Sequence, residues 1–491
     1  KAGFRRSAGV DRFSEKELAP WKLAAPQIRT GGLDSTDEQL LASIRASLDR
    51  YPSLTNAMIF HEHAVWSYQV APELIGRKPE PGSEWKDADK RWNYALRLGR
   101  LLRRDFPQLR ITLGNSLACS ELIAEGLRRG FPEEYADYIG LEVVGRTSLP
   151  ERQWEGALQG GELMLQTARR FGYQRWKLNA CYESNYRLDA LLGQRRQAEW
   201  YVRDLLLSQA WGFRDIFIGI IMDTGNAYAG SFWGGSGLCT RSPFIYPKRS
   251  YVGVAVATKL LDQVALSRSI PTGSPSVYAL EFKRQDGQYI YPVWTSRGTA
   301  ELTIETLPAD YQIFDFYGRP IRRPDSRTCL SLTAGTAVTY LLASAPVVRS
   351  IRCGKRTYPD DQPPDNLKLV NRMDDAAEWT LAETKEPLLE KTRGTALPYR
   401  TLGRYAVRQV ADSEKGNCVE LELVQPNLAL PTVFHEYAVL KLKRPVTLAG
   451  KPNSLGVWVK GNSGWGQVYW VLEDARGQRR ISCGTRIHRA D

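Results

Sequence analysis

The residues of this 491-residue chain best placed to do chemistry are carboxylates that stand just beyond apolar, strand-length runs. Five such runs are read at Ala57 to Phe60, Arg110 to Leu113, Tyr138 to Val144, Trp176 to Ala180 and Asp215 to Met222. They lead into His61-Glu62-His63, Gly114-Asn115-Ser116, Gly145-Arg146, Cys181-Tyr182-Glu183 and Asp223-Thr224-Gly225-Asn226. Where parallel strands alternate with helices around a barrel, the working groups sit at these carboxyl ends. Two of the ends offer a glutamate, Glu62 and Glu183. A pair of carboxyl groups flanking a glycosidic bond can protonate the leaving oxygen from one side and act on the sugar from the other. A separation of about 5–5.5 Å gives retention, and a wider one gives inversion. The structural alternatives are a buried Glu62 paired with an arginine and a loop Glu183 paired with Arg187, while Glu142 inside the third run competes as an inward-facing carboxylate.

Around this pair, His61, His63, Asn115, Tyr182 and Asp223 offer hydrogen bonds to sugar hydroxyls, although Asp-Thr-Gly-Asn at 223–226 is also ordinary turn chemistry. Trp66 and Trp233 are candidate stacking platforms beside Tyr68, Tyr186, Tyr228 and Phe232, with loop packing as the alternative. His61-x-His63 also fits the start of a metal site. The other histidines, His435 and His488, fall in a distant part of the chain, so neither a metal nor any other cofactor is expected. The Gly230 to Gly237 stretch lacks a following Lys-Ser/Thr and a helix start, which excludes a phosphate-binding loop.

The elements that must position these groups follow from periodicity. Helical patterns at Asp37 to Arg50, Lys90 to Arg104, Ser120 to Arg129, Gly160 to Phe171, Gln197 to Trp211 and Tyr251 to Gln263 alternate with the five strands, as in βα units. After Pro271 the pattern turns to short alternating strands: Val277 to Arg284, an Asp286-Gly287 turn, Tyr289 to Thr295, Ala300 to Thr306, Ile313 to Phe316, a Tyr317-Gly318 turn, and Cys329 to Leu342. A third module is expected to have strands at Asn417 to Leu423, Tyr437 to Leu442, Leu455 to Lys460 and Val468 to Leu472. The expected fold is therefore multidomain, α/β followed by all-β. It comprises a partial (β/α)8 barrel over 1–270, an antiparallel β-sandwich over 271–350, a linker over 351–370 and a jelly-roll-like sandwich over 371–491.

Over residues 57 to 350 the chain resembles clan A glycoside hydrolases near the β-xylosidase and α-iduronidase family. The resemblance rests on Phe60-His61-Glu62-His63 with Trp66, on Leu178-Asn179-Ala180-Cys181-Tyr182-Glu183, and on Pro247-Lys248-Arg249-Ser250-Tyr251 opening the last helix before Val277-Tyr278-Ala279-Leu280. It implies that the visible strands are four to eight of the barrel, that Glu62 is the acid/base, and that Glu183 is the nucleophile of a retaining double displacement. The three earlier strands are expected to precede Lys1. His61 stands where that clan has an Asn that binds the sugar 2-hydroxyl. A carbohydrate substrate and an extracellular or periplasmic location are further implications. A carbohydrate-binding or scaffold protein on a degenerate barrel is the alternative.

Composition narrows the classes. The chain is 43% hydrophobic, and 67 basic against 54 acidic residues give a net charge of +13. The arginines are interspersed with acids, and no basic stripe alternates with aromatics, so nucleic-acid binding is not expected. No apolar run reaches membrane-span length, and no signal peptide can be read. The seven cysteines are spread singly, without a CxxC pair. Fourteen Trp and 23 Tyr suit a protein that handles sugars, and Trp458, Trp465, Tyr469 and Trp470 in the last module are candidate sugar contacts there. Nothing in the residues fixes an oligomeric state.

Overall fold

The computed structural model describes residues 32–52, 54–59, 88–113, 126–141, 149–151, 164–180, 189–213, 221–223, 235–321, 328–358, 367–384, 400–413, 415–425, 435–450, 455–461, 467–481 and 485–486, with 16 and 218. They divide into two compact units, Lys1–Tyr358 with the last two residues, and Pro359–Arg489.

The first unit begins with α1 (Asp37–Arg50). Thr36 caps it and Gln39 reaches back to the Thr36 N–H, while Asp37 and Glu38 in the first turn and Arg50 in the last complement the helix dipole. Its Leu40 and Ile44, four apart, form the buried face. Four short strands follow: β1 (Asn56–Ile59), β2 (Arg110–Leu113), β3 (Tyr138–Leu141) and β4 (Lys177–Ala180), with α2 (Ala88–Asp105) between β1 and β2. All pair in parallel, in the order β1-β2-β3-β4. Residues 126–128 and 164–170 are helical, so helices recur between strands as a parallel sheet demands.

Register separates the two faces of this sheet. Ala57, Ile59, Ile111, Leu113, Ile139 and Leu178 share one face and join a core with Trp92, Leu98 and Leu102 of α2. The opposite face carries Met58, Thr112, Gly140 and Asn179. There the Asn179 side-chain amide donates to Thr112 Oγ1 at 3.4 Å, with both residues buried. One face is thus a helix-packing surface and the other is partly polar.

Beyond β4, α3 (Asp189–Ala210) is broken at Gly193, whose φ of 74° is not helical, and α4 (Arg249–Leu260) packs on it. Of the expected fifth strand, only Ile218, Ile221 and Met222 are described, and Met222 makes a parallel bridge to Cys239.

A β-sandwich completes the unit. One sheet comprises β5 (Ala265–Ser269), β6 (Val277–Lys283), β7 (Tyr289–Thr295), β9 (Tyr311–Phe314), β10 (Pro320–Ile321) and β12 (Thr339–Ala343), in the order β10-β9-β12-β7-β6-β5. The other places β8 (Thr299–Thr306) between β11 (Cys329–Ala334) and β13 (Val348–Thr357). Both are antiparallel, and the Asp286-Gly287 and Tyr317-Gly318 turns stand where expected. At Gly287 (φ 87°) the backbone is left-handed, which glycine adopts without strain. Ala279, Val293, Ile313 and Leu341 face Leu302, Ile304, Leu330 and Ile351 across the sandwich. Leu280, Phe282, Ile290, Trp294 and Tyr340 point the other way and join the α/β core. With both sheet faces covered, the central strands read as nearly continuous apolar runs.

The boundaries shift accordingly. Pairing of β5 with β6 starts the sandwich at Ala265, ahead of 271, and β13 carries it to Thr357 through the first residues of the stretch read as linker.

In the second unit, β14 (Trp379–Leu381) pairs with β19 (Leu440–Leu442), β15 (Arg400–Leu402) with β18 (His435–Tyr437), and β16 (Arg404–Asp412) with β17 (Gly416–Gln425). Two further strand pairs lie within 467–486. Leu455 to Lys460, expected as a strand, has no strand assignment. No helix among the described residues is long and apolar enough to cross a membrane.

Candidate functional site

The four parallel strands put the carboxyl ends of β1 to β4 on one edge of the sheet. Ile59 is level with Leu113 and Ile139 with Leu178, while β3 and β4 run on together to Leu141 and Ala180. Glu62 follows the last residue of β1, and Glu183 the last residue of β4, by the same three positions. Glu62, Glu183, His61, His63, Trp66, Asn115, Tyr182 and Trp233 lie outside the described residues, as does Glu142.

Of the site residues expected around the glutamate pair, Asp223 is the one that is described, and its surroundings differ from a sugar contact. It is 2% exposed, and its Oδ2 lies 2.6 Å from Lys248 Nζ, itself buried. Its Oδ1 accepts the Gly237 N–H at 2.7 Å. The ammonium also reaches the Gly235 carbonyl at 3.4 Å. Both carboxylate oxygens are therefore engaged by the protein. Asp223 pins the returning segment rather than presenting itself to a hydroxyl, because a buried carboxylate has to be paired and hydrogen-bonded.

The backbone repeats that tie. Asp223 N–H donates to the Cys239 carbonyl, Cys239 N–H to Ile221 and Lys248 N–H to Leu238. Gln197, in α3 just past its break, donates to the Gly235 carbonyl at 2.8 Å and accepts from Ser250 Oγ in the first turn of α4. Tyr201 hydroxyl donates to the Ser236 carbonyl. Burial pushes the Cys239 thiol above its ordinary range, with Asp223 adding to the rise and Lys248 opposing it. That thiol is accordingly a packing group rather than a nucleophile. Phe244, Ile245 and Tyr246 are exposed on a loop closed by Thr240, whose hydroxyl donates to the Phe244 carbonyl and accepts from the Tyr246 N–H.

Lys248, Gln197 and Ser250 were not legible as partners of the Asp223 segment. Lys248 reads as the residue before a helix, and nothing in its spacing from Asp223 marks a buried ion pair. Gly237 is the clearest local signal. A Cβ there would stand 2.3 Å from the Asp223 backbone nitrogen, and backbone cannot move aside as a flexible side chain can. Gly237→Ala is expected to destabilise the protein by about 1–3 kcal/mol, measured as a lower urea midpoint with unchanged slope. An unchanged midpoint would mean that the two segments do not pack this closely.

Among the described residues, no group of three or more His, Cys, Asp or Glu is arranged to hold a metal ion. No protein-family model and no curated protein matches the chain. Among solved structures it is similar to a family 39 glycoside hydrolase from the gut symbiont Bacteroides cellulosilyticus, at 14% identity over 70% of this chain and 76% of that one, with a TM-score of 0.42. It is similar also to the GH51 arabinofuranosidase from Xanthomonas axonopodis pv. citri, at 12% identity over 67% and 77% with a TM-score of 0.40. A GH39 β-xylosidase from Caulobacter crescentus gives 14% identity over 64% and 71%, again with a TM-score of 0.40.

Proposed function

We propose that the chain is a retaining glycoside hydrolase of poly- or oligosaccharides that needs no cofactor, with Glu62 as acid/base and Glu183 as nucleophile. What supports this reading is the parallel sheet, whose first and fourth strands end on one common edge at Ile59 and Ala180, each three positions in sequence before a glutamate. Neighbouring strands lie about 4.8 Å apart, so β1 and β4 stand about 14 Å apart along a flat sheet. Closing the sheet into a (β/α)8 barrel turns those ends toward one another, which the separation of about 5–5.5 Å for retention requires.

In the first step the Glu183 carboxylate attacks the anomeric carbon, the bond to the leaving oxygen breaks, and the Glu62 proton passes to that oxygen. In the second, Glu62 takes a proton from water, and the water oxygen displaces Glu183 with a second inversion, so that configuration is retained. Glu62 must enter protonated, which calls for a pKa above the ordinary value of about 4.3; burial or the neighbouring Glu183 charge would supply the rise. His61, His63, Asn115 and Tyr182 serve as sugar hydrogen-bonding groups and Trp66 and Trp233 as platforms. An extracellular or periplasmic location accords with such substrates.

The test is hydrolysis of a panel of aryl glycosides and plant or algal polysaccharides, with proton NMR following the anomer first released. Release of the retained anomer supports the reading, and first release of the inverted one removes Glu183 as nucleophile. A folded protein that cleaves nothing yet is retained on a glycan column favours the second reading, a non-catalytic carbohydrate-binding protein, for which the observation is His61 in place of the clan's asparagine.

A further inference from the structure

From the second unit we infer a separate binding site for a saccharide bearing an anionic group, formed by Trp458, Lys415 and Lys460 at the turn between β16 and β17. Trp458 is 70% exposed, the largest fractional exposure among the large apolar residues described. A tryptophan left in water is unfavourable unless something covers its ring, and its indole presents a flat face to the C–H face of a pyranose.

The surroundings narrow the ligand. In the segment 455–461, Leu455 and Val457 are half-buried while Trp458 and Lys460 are exposed. Lys460 Nζ bonds to Asp412 Oδ2 at 2.7 Å, where Asp412 closes β16 and also accepts the Lys415 N–H through Oδ1. This anchors the segment on the turn and sets Trp458 beside Lys415, whose Nζ lies 4.8 Å from the ring centroid. The ammonium stands over one face of the indole, while the residue as a whole keeps 70% of its surface exposed. Asp412 already neutralises Lys460, whereas Lys415 has no acidic partner among the described residues. An aromatic plate with an ammonium over one face, which has no acidic partner among the described residues, fits a sugar that carries a carboxylate or a sulfate. The net charge of +13 favours the same ligands at longer range.

This site lies in another unit from the two glutamates and does not depend on hydrolysis. The experiment is isothermal titration of the full chain with a galacturonan oligosaccharide, a sulfated galactan oligosaccharide and a neutral xylan oligosaccharide of matched length. At least one anionic sugar is expected to bind more tightly than the neutral one, and the two anionic arms decide between carboxylate and sulfate. Trp458→Ala is expected to weaken binding at least about tenfold. Lys415→Gln should abolish the preference for the anionic sugar, whereas Lys441→Gln, a charge-matched change elsewhere in the unit, should leave it intact. Circular dichroism of each variant establishes that it is folded. Absence of binding to all three, equal binding of neutral and anionic sugars, or an equal loss in Lys415→Gln and Lys441→Gln would overturn the proposal.

Discussion

Glu151→Leu is expected to lower the stability of the protein by about 3–5 kcal/mol, the cost of leaving a buried charge without its partner. Glu151 and Arg203 are both completely buried, and the guanidinium grips the carboxylate through Nε and NH2 at 2.7 Å each. Trp294 Nε1 adds a third donor at 2.7 Å to Glu151 Oε1, and Arg203 NH1 reaches the Thr336 carbonyl at 3.3 Å. These residues come from α3, the 149–151 segment, β7 and the turn before β12, so one ion pair stitches the α/β half of the first unit to the sandwich. Removing the carboxylate strands the guanidinium and the indole N–H together in an apolar surround that offers them no water. Arg203→Met with Glu151→Leu should recover much of the loss, because an apolar pair of similar volume carries no desolvation cost. Urea denaturation of both single variants and the double variant gives the coupling directly. A loss below about 1 kcal/mol in Glu151→Leu, the level of a solvated surface pair, would show that the pair is not desolvated.

The parts of the fold that were readable are those in which a periodic pattern meets a single environment. α1 was legible to the residue because Thr36 and Gln39 form a capping box and Leu40 and Ile44 repeat at helical spacing. β2 was legible because Ile111 to Leu113 are all buried behind a solvated Arg110. β5 was missed because Ala265-Leu266-Ser267-Arg268-Ser269 is an edge strand that is largely exposed, so burial wrote no alternation into it. Leu455 to Lys460 failed in the opposite way: the alternation is there, but no strand among the described residues pairs with it. Periodicity reports which side of a segment is wet, and pairing depends on residues far away in sequence. The same limit applies to Asp223. Asp-Thr-Gly-Asn read as turn or sugar contact, and only the arrival of Lys248 and Gly237 from the returning chain shows the carboxylate to be occupied. The glutamates themselves were read from a rule about strand ends; β1 and β4 end at Ile59 and Ala180, and both glutamates lie outside the described residues.

Glu183→Ala is expected to lower kcat on an aryl glycoside by about 10⁴-fold or more, close to 5.4 kcal/mol of transition-state stabilisation at 1.36 kcal/mol per decade. Without the nucleophile there is no glycosyl-enzyme, and truncation to alanine leaves room for a small anion. Azide should then restore turnover and yield a glycosyl azide of inverted configuration, because only one displacement remains. Glu62→Ala should behave differently. Loss of a general acid costs about 10²–10⁴-fold where the leaving group needs a proton, and much less for an activated phenol that departs as its anion. The two variants therefore separate by leaving group: Glu183→Ala is slow on every substrate, whereas Glu62→Ala is slow mainly on poor leaving groups. Deglycosylation is also slowed in Glu62→Ala, since water has lost its base, so glycosyl-enzyme should accumulate on activated substrates and appear as a burst of phenol. The acid limb of the wild-type pH profile belongs to the Glu183 carboxylate, which must be ionised, and the basic limb to the Glu62 proton. Glu62→Ala should flatten the basic limb alone. If both variants lose activity equally on all leaving groups and azide restores neither, the double-displacement assignment of these two glutamates falls.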